Sequence, residues 1–471
     1  MTFEQEAKSA YQVQSAKGIH RLTPKPPLGW NSYDAYGCAA SAETLAANLE
    51  AMAVRLKPFG YEYFVVDNGW FGEYDIPEGR RYPVVKHAAD VHIDGYGRYQ
   101  PSRCYFPNGL RPLIDRAHEL GFRFGIHLMR GIPRKAVALD LPVLGTPYRA
   151  AEIADTASTC VWCHYNYGVN MDHPGGQAFY NSLVNQFAEW GVDFIKADDI
   201  TGYPREIEAL AGAIAQCGRD MALSLSPGGQ TNKERMPVYV QANMLRTTTD
   251  IWDNRNDLDK AFAAWETYND VRVEGFWPDL DMIPFGHLML WNPREPGAAK
   301  TDDDNLELSG KGHERMSGLS RNQKRTFITV RALAASPLFM GGDLPTSDEE
   351  AFELITNREM LACNQNGVMG RLVHRGDGID VWMTPSASEP GAGWIGVFNR
   401  TEEDRRVGLS RSELGLEAGA AYTFGSVWTH TEPWSDDGFQ LDAAIGPDGV
   451  LFLAYRMAEG LPTQPREEER T

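Results

Sequence analysis

The 471-residue chain has no run of about 18 apolar residues, the length that carries a helix across a bilayer, and its first twenty residues lack the apolar segment of a secretory leader. It is also short of basic charge, with 45 Lys and Arg against 64 Asp and Glu and a formal net charge of −19. Phosphate recognition needs clustered Lys and Arg, so nucleic acid and anionic membranes are excluded as partners and a neutral ligand fits better. These absences imply a cytoplasmic protein if the sequence is complete, and a periplasmic or secreted one if a leader was removed. Six cysteines are too few for a disulfide framework. There is no Cys/His set with zinc spacing and no glycine-rich phosphate loop. Cys160, Cys163 and His164 formally fit the C-x-x-C-H haem attachment pattern. A second axial ligand and an export signal are not evident, so two neighbouring thiols in a loop is the simpler reading. No metal or organic cofactor is expected.

What the chain does have is a large core and many aromatic residues: 42% hydrophobic, 23% charged, 12 Trp and 19 Tyr. Its organisation shows in a transition that occurs three times. Leu45, Leu49, Met52 and Leu56 recur at helical spacing, and Gly60 then opens YEYFVVDN. Leu110, Leu113, Ile114 and Ala117 lead through Gly121 into FRFGIHLM, and Phe179, Leu183, Phe187 and Trp190 lead through Gly191 into VDFIKADD. Period 3.6 followed by a short apolar run is helix then buried strand, with glycine at the left-handed cap between them. With LGWNSY, MALSLS, NMLRTTTD, GFWPDLDM and ASPLFMGGD, the strand candidates reach eight, the number of a (β/α)8 barrel. A doubly wound open sheet is the competitor, but its phosphate loop is missing. After Met369, GIDVWMT, GWIGVFN, AYTFGSVW and VLFLAYR are short runs between Gly, Pro and Asp, as in an antiparallel β-domain. The expected layout is an N-terminal extension (1–26), a (β/α)8 TIM barrel (27–368), an antiparallel β-sandwich (369–458) and a solvated tail (459–471).

In such a barrel the site lies at the C-terminal strand ends. Those ends carry Trp30, Asp67 and Asn68, His127, Lys196 and Asp198, Ser226, Asp250 and Asp281, with Arg246 close by. Any single Asp after a strand is usually a helix cap. Together the set suits a polyol, since hydroxyls need fixed donors and acceptors and an indole offers a flat face to a sugar ring. Glycoside hydrolysis needs two carboxyls, one ionised and one protonated, and Lys196 beside Asp198 would hold that carboxylate ionised.

PPLGWNSYDAYG, EYFVVDNGW, FPNGLRPLIDRAHELGFRFGIHL, WGVDFIKADD, LRTTTDIWD, FWPDLDM, AASPLFMGGDL and ACNQNGVMG, in order over about residues 27–370, resemble the α-galactosidases of glycoside hydrolase family 27. The resemblance implies a retaining exo-glycosidase acting on a small-molecule or oligosaccharide substrate without metal or cofactor, and leaves a homo-oligomer open. It implies Asp198 as nucleophile and Asp250 as acid/base, with Trp30, Asp67, Lys196, Arg246 and Asp281 lining the sugar subsite. Asp199 is left over and is expected to cap the next helix or line the mouth; Asp253 and Asp279 rank below Asp250 as alternatives. The chain departs from the family pattern at Asn68, where a second Asp is usual, at His127, where a tyrosine is usual, and in SLSPGG, where Ser226 replaces a larger group. Terminal α-galactose is the expected glycone. α-N-acetylgalactosaminide, β-L-arabinopyranoside, isomalto-type α-glucan and a non-catalytic carbohydrate-binding barrel are the alternatives.

Overall fold

The computed structural model describes residues 18–85, 87–229, 231–293, 312–417, 420–429, 434–435 and 440–458. They fall in two compact units, one drawn from Met1–Leu319 and Ser336–Thr356, the other from Ser320–Ala335 and Asn357–Thr471. The first 17 residues and all of the expected tail (459–471) lie outside the described residues.

The first unit is a (β/α)8 barrel. Its strands are β1 (Leu28–Asn31), β2 (Tyr63–Val66), β3 (Arg123–Met129), β4 (Phe194–Asp198), β5 (Ala222–Leu225), β6 (Met244–Arg246), β7 (Trp277–Asp279) and β8 (Leu338–Met340). Each falls inside one of the eight runs picked from the sequence. They pair in parallel in the order β7-β6-β5-β4-β3-β2-β1-β8. The ring closes just after β7, where Ile283 N donates to Phe339 O at 2.8 Å and Gly341 N donates to Ile283 O at 3.0 Å. Helices α1 (Ala42–Arg55), α2 (Arg111–Glu119) and α3 (Pro174–Trp190) precede β2, β3 and β4, as their periodicity predicts. Gly60 and Gly191 take the left-handed cap, with φ of +91° and +94°. Helices α4 (Pro204–Gln216) and α5 (Arg255–Tyr268) follow β4 and β6.

Helix α6 (Arg321–Leu333) carries the last helical period before β8, yet it belongs with the second unit, which a linear boundary at 368/369 does not anticipate. That unit holds a six-stranded sheet containing Ile379–Pro385, Ala392–Asn399, Tyr422–Ser426 and Val450–Met457. Val381, Ile395, Val397, Phe424 and Leu453 of this sheet pack against Val407, Leu409 and Ile445 of a second, two-stranded sheet. Two antiparallel sheets sharing one apolar layer make the β-sandwich. Asn399, the first residue of a formal glycosylation sequence Asn399-Arg400-Thr401, is internal: the side chain is buried and its amide donates to Glu403 O, Ile445 O and Gly446 O.

Between β3 and α3 a three-stranded antiparallel sheet forms from Ile132–Pro133, Asn166–Val169 and Ala154–Thr159. It carries the cysteine loop. Cys160 and Cys163 are free, buried and packed with Met129, while His164 is exposed. Burial pushes the Cys160 thiol up to about 12. A high thiol pKa disfavours the thiolate that metal or redox chemistry uses.

Candidate active site

Strand side chains alternate, so one parity of each barrel strand points to the axis. Tyr63, Val65, Phe194, Ala222, Met244 and Phe339 form an apolar cluster across the barrel. Gly125 faces the same space, since a Cβ there would sit 2.8 Å from Val65 and 3.0 Å from Phe194. One step further along the same parity come Asp67, His127, Lys196 and Arg246, and two steps further Asp198 and Ser226. The polar set therefore lies on top of an apolar floor. A depression lined by Asn31, Lys196, Ser224, Ser226, Arg246, Asp279 and Asp281 runs down to Val65, Phe194, Met244 and Phe339.

Around Asp67 the groups interlock. Its Oδ2 accepts from Lys196 Nζ and from Asn31 Nδ2, both at 2.7 Å, and its Oδ1 accepts from Asn68 N at 2.8 Å. Burial would raise this carboxyl, but the Lys196 ammonium and then His127 bring it well below the ordinary range. Burial likewise works against the Lys196 ammonium, and Asp67 and Asp198 outweigh it and raise the lysine. The Tyr33 ring centroid lies 6.0 Å from Lys196 Nζ.

Asp198, at the end of β4, is buried, with Oδ2 3.2 Å from His127 Nε2 and Oδ1 accepting from Asp199 N at 2.9 Å. Here too burial acts upward, and the His127 hydrogen bond and charge, Arg246 and Lys196 hold the carboxyl below its ordinary value. Asp198 is thus a carboxylate kept ionised inside the barrel.

Asp250 differs. Its side chain is 60% exposed, and its Oδ1 accepts from Arg246 Nη1 at 2.7 Å. The same Nη1 donates to Asp281 Oδ2 at 3.0 Å, and Ile251 N donates to that oxygen at 2.9 Å. Arg246 bridges the exposed carboxylate and the buried one. Asn68 Oδ1, His127 Nδ1 and Arg246 Nε are buried with hydrogen-bonding capacity that no protein group uses.

Of the residues expected at the site, Lys196, Ser226, Arg246 and Asp281 line this depression, and Asp67 and Asp250 are bonded to Lys196 and Arg246. His127, two residues beyond the floor, and Asp198, at the end of β4, lie together, and Asn68 follows Asp67 with a buried side chain. Trp30 does not join them. Its register partner is Phe64, against which it stacks at 4.8 Å, and its Nε1 donates to Gly342 O at 2.8 Å. Gly29 and Asn31 hold the inward parity of β1, so the indole packs in the layer behind the barrel wall and offers no face to a sugar. Asp199 does not cap the following helix: α4 begins at Pro204 after Tyr203. Asp253 is committed to Arg315 at 2.5 Å, whereas Asp279 lines the depression and accepts from Asp281 N at 2.9 Å.

Three residues escaped the sequence reading. Asn31 and Tyr33, one and three residues after Trp30, stand where the indole was expected: Asn31 bonds Asp67 and the Tyr33 ring faces Lys196. Asp34 is a buried carboxyl with neither oxygen hydrogen-bonded, and burial followed by the nearby Asp281 raises it well above the carboxylate range. The signal for Asn31 was the strand parity itself, whereas Tyr33 lies beyond β1, at the start of a short helix (Tyr33–Tyr36), where that parity does not apply. Asp34 had none, because nothing local marks an aspartate as unpaired. Among the described residues no group of three His, Cys, Asp or Glu could hold a metal ion, and no helix is long and apolar enough to cross a membrane.

The family model described as alpha galactosidase A matches residues 160–366. A β-L-arabinopyranosidase of family 27 from Geobacillus stearothermophilus superposes with a TM-score of 0.84 at 35% identity, covering 95% of this chain and all of its own. The α-galactosidase of Cyamopsis tetragonoloba is 23% identical over 89% of this chain and 84% of its own length. The α-N-acetylgalactosaminidase of Gallus gallus is 26% identical over 92% of this chain and 93% of its own.

Proposed function

Because the chain belongs to glycoside hydrolase family 27, and so is a glycoside hydrolase, we propose that it removes a terminal sugar with retention, using Asp198 as nucleophile and Asp250 as acid/base. The observation that carries this reading is the contrast between the two carboxyls. Asp198 is buried and held ionised by His127, Arg246 and Lys196, whereas Asp250 stands at the exposed rim on Arg246. In the first step an Asp198 oxygen bonds to the anomeric carbon as its bond to the leaving oxygen breaks, and Asp250 gives that oxygen its proton. In the second, Asp250 takes a proton from water, which attacks the anomeric carbon and frees Asp198. Lys196 and Asp67, locked together, present one donor and one acceptor to ring hydroxyls, and Arg246 and Asp281 present another such pair. Asn31, Asn68, His127 and Ser226 complete the polar wall, and Tyr33 supplies the aromatic edge. No metal or cofactor takes part in this scheme.

The glycone is a galacto-configured pyranose: an α-D-galactoside, or the β-L-arabinopyranoside that is the same ring without its hydroxymethyl group. Similarity over the whole of a β-L-arabinopyranosidase favours the second sugar. A panel of nitrophenyl glycosides (β-L-arabinopyranoside, α-D-galactoside, α-N-acetylgalactosaminide, α-D-glucoside), with Asp198→Ala as control, tests the reading. Turnover of the first two and loss in the variant is the expected result. Exclusive turnover of the glucoside would overturn the glycone, and an active Asp198→Ala would overturn the nucleophile.

A further inference from the structure

Asp199 takes no part in the chemistry above, yet it is one of the most constrained residues in the barrel. Its φ is +56°, a left-handed conformation uncommon for residues with side chains and entered more often by Asp than by most. Its N–H donates to Asp198 Oδ1 at 2.9 Å. It is held by Arg130, whose Nε donates to Asp199 O at 3.0 Å and whose Nη2 donates to Asp199 Oδ2 at 3.0 Å. Arg130 N also donates to Asp198 O at 3.1 Å, so a single arginine grips both residues.

Arg130 is itself fixed from behind. Its Nη1 donates to Glu206 Oε1 at 2.8 Å and Ser158 Oγ at 3.1 Å, and its guanidinium lies 3.3 Å from the Tyr203 ring centroid. Tyr180 Oη donates to Glu206 Oε2 at 2.6 Å. Arg130, Asp199 and Glu206 are all buried. On the far side, Gly228 leaves room for the Asp199 carboxyl: a Cβ there would fall 1.8 Å from Oδ1. Buried ion pairs are poor sources of net stability compared with apolar packing, and their better-attested use is to fix one conformation. Asn68 makes the same amide contact to Asp67, at 2.8 Å, without a left-handed backbone or an arginine clamp. The clamp therefore distinguishes the strand end that bears the proposed nucleophile from the end of β2.

We propose that Arg130 and Asp199 are positioning residues that lock the left-handed turn after β4 and thereby aim Asp198 at the anomeric carbon. The proposal rests on Asp198 being the nucleophile.

Steady-state kinetics on whichever nitrophenyl glycoside the wild-type enzyme hydrolyses tests it, with thermal melts to establish folding and Asp198→Ala alongside. Asp199→Gly adopts the left-handed turn without strain but cannot be gripped through its side chain. Its kcat is expected to fall about 30- to 100-fold, the scale of a misplacement of about an ångström, with KM within about threefold of wild type. Asp199→Asn tolerates the same backbone and still offers Arg130 an acceptor, so it should recover to within about fivefold. A folded Asp199→Gly with wild-type kcat overturns the proposal, as does a loss carried by KM or an Asn variant no better than Gly. Should the glycine variant not fold, Arg130→Lys, which keeps the charge but not the fork, carries the same expectation of lower kcat at constant KM and the same refutation. An active Asp198→Ala would instead refute the nucleophile assignment beneath it.

Discussion

The two carboxyls proposed for catalysis sit in opposite surroundings. The end of β4 is closed: Asp198 accepts from a ring nitrogen and from the next residue's backbone, is flanked by Lys196 and Arg246, and has its following turn clamped. The loop after β6 is open: Asp250 extends to the rim, is mostly exposed, and touches the rest of the site through one oxygen on Arg246. The difference matches two tasks. A nucleophile must stay ionised and hold one geometry, whereas an acid/base has to exchange a proton with leaving group and water in turn.

The largest effect that could break this comparison is Asp198→Ala, expected to cost at least about 10⁴-fold in kcat on every substrate with an unchanged melt. A residual rate within about tenfold of wild type would place the nucleophile elsewhere. Next comes Asp250→Ala, where turnover of glycosides with poor leaving groups should fall about 10²- to 10⁴-fold and that of dinitrophenyl glycosides much less. Equal losses on both would mean that Asp250 is not the proton donor.

A smaller effect sharpens the closed side. Lys196→Met leaves Asp67 buried without its cation, which should destabilise the fold by about 3–5 kcal/mol, read as a lower denaturation midpoint. The same pair sets an acid dependence. Asp67 is depressed in the folded state, so its contribution is present above the ordinary carboxylate pKa of about 4 and is lost as pH falls below it. Wild type should therefore lose more stability than Lys196→Met between about pH 5 and pH 2, and parallel curves would contradict the pairing. The smallest effect concerns Trp30. Replacement by Phe removes the hydrogen bond to Gly342 O, costing about 0.5–1.5 kcal/mol, and should leave KM unchanged. A KM raised more than about fivefold would return Trp30 to the subsite.

Much of this architecture is legible in the sequence. The helix, glycine and strand succession located three barrel strands and short apolar runs located the other five, because a strand buried on both faces reads as such a run. Reading the ends of those runs then gathered most of the polar site. Trp30 failed by a single residue of phase: side chains alternate, so choosing the indole over its neighbours chose the wrong face of β1. Asp199 failed for another reason. A carboxylate shortly before a helix usually caps it, and its actual partner, Arg130, lies 69 residues earlier on a different strand end. Pairings of that range follow from the closure of the barrel and leave no local trace. Helix α6 belongs to the same class, since its periodicity specifies a helix and an apolar face but not which unit that face joins.

The most direct test of the central claim is covalent trapping. A 2-deoxy-2-fluoro glycosyl fluoride of the preferred sugar needs little acid assistance to react but slows release, so the glycosyl-enzyme should accumulate and be identified by peptide mass spectrometry. One added fluorosugar is expected on the peptide containing Asp198, with labelling absent in Asp198→Ala and retained in Asp250→Ala. A label on any other carboxylate, or hydrolysis that inverts the anomeric centre with no labelled peptide, would contradict it.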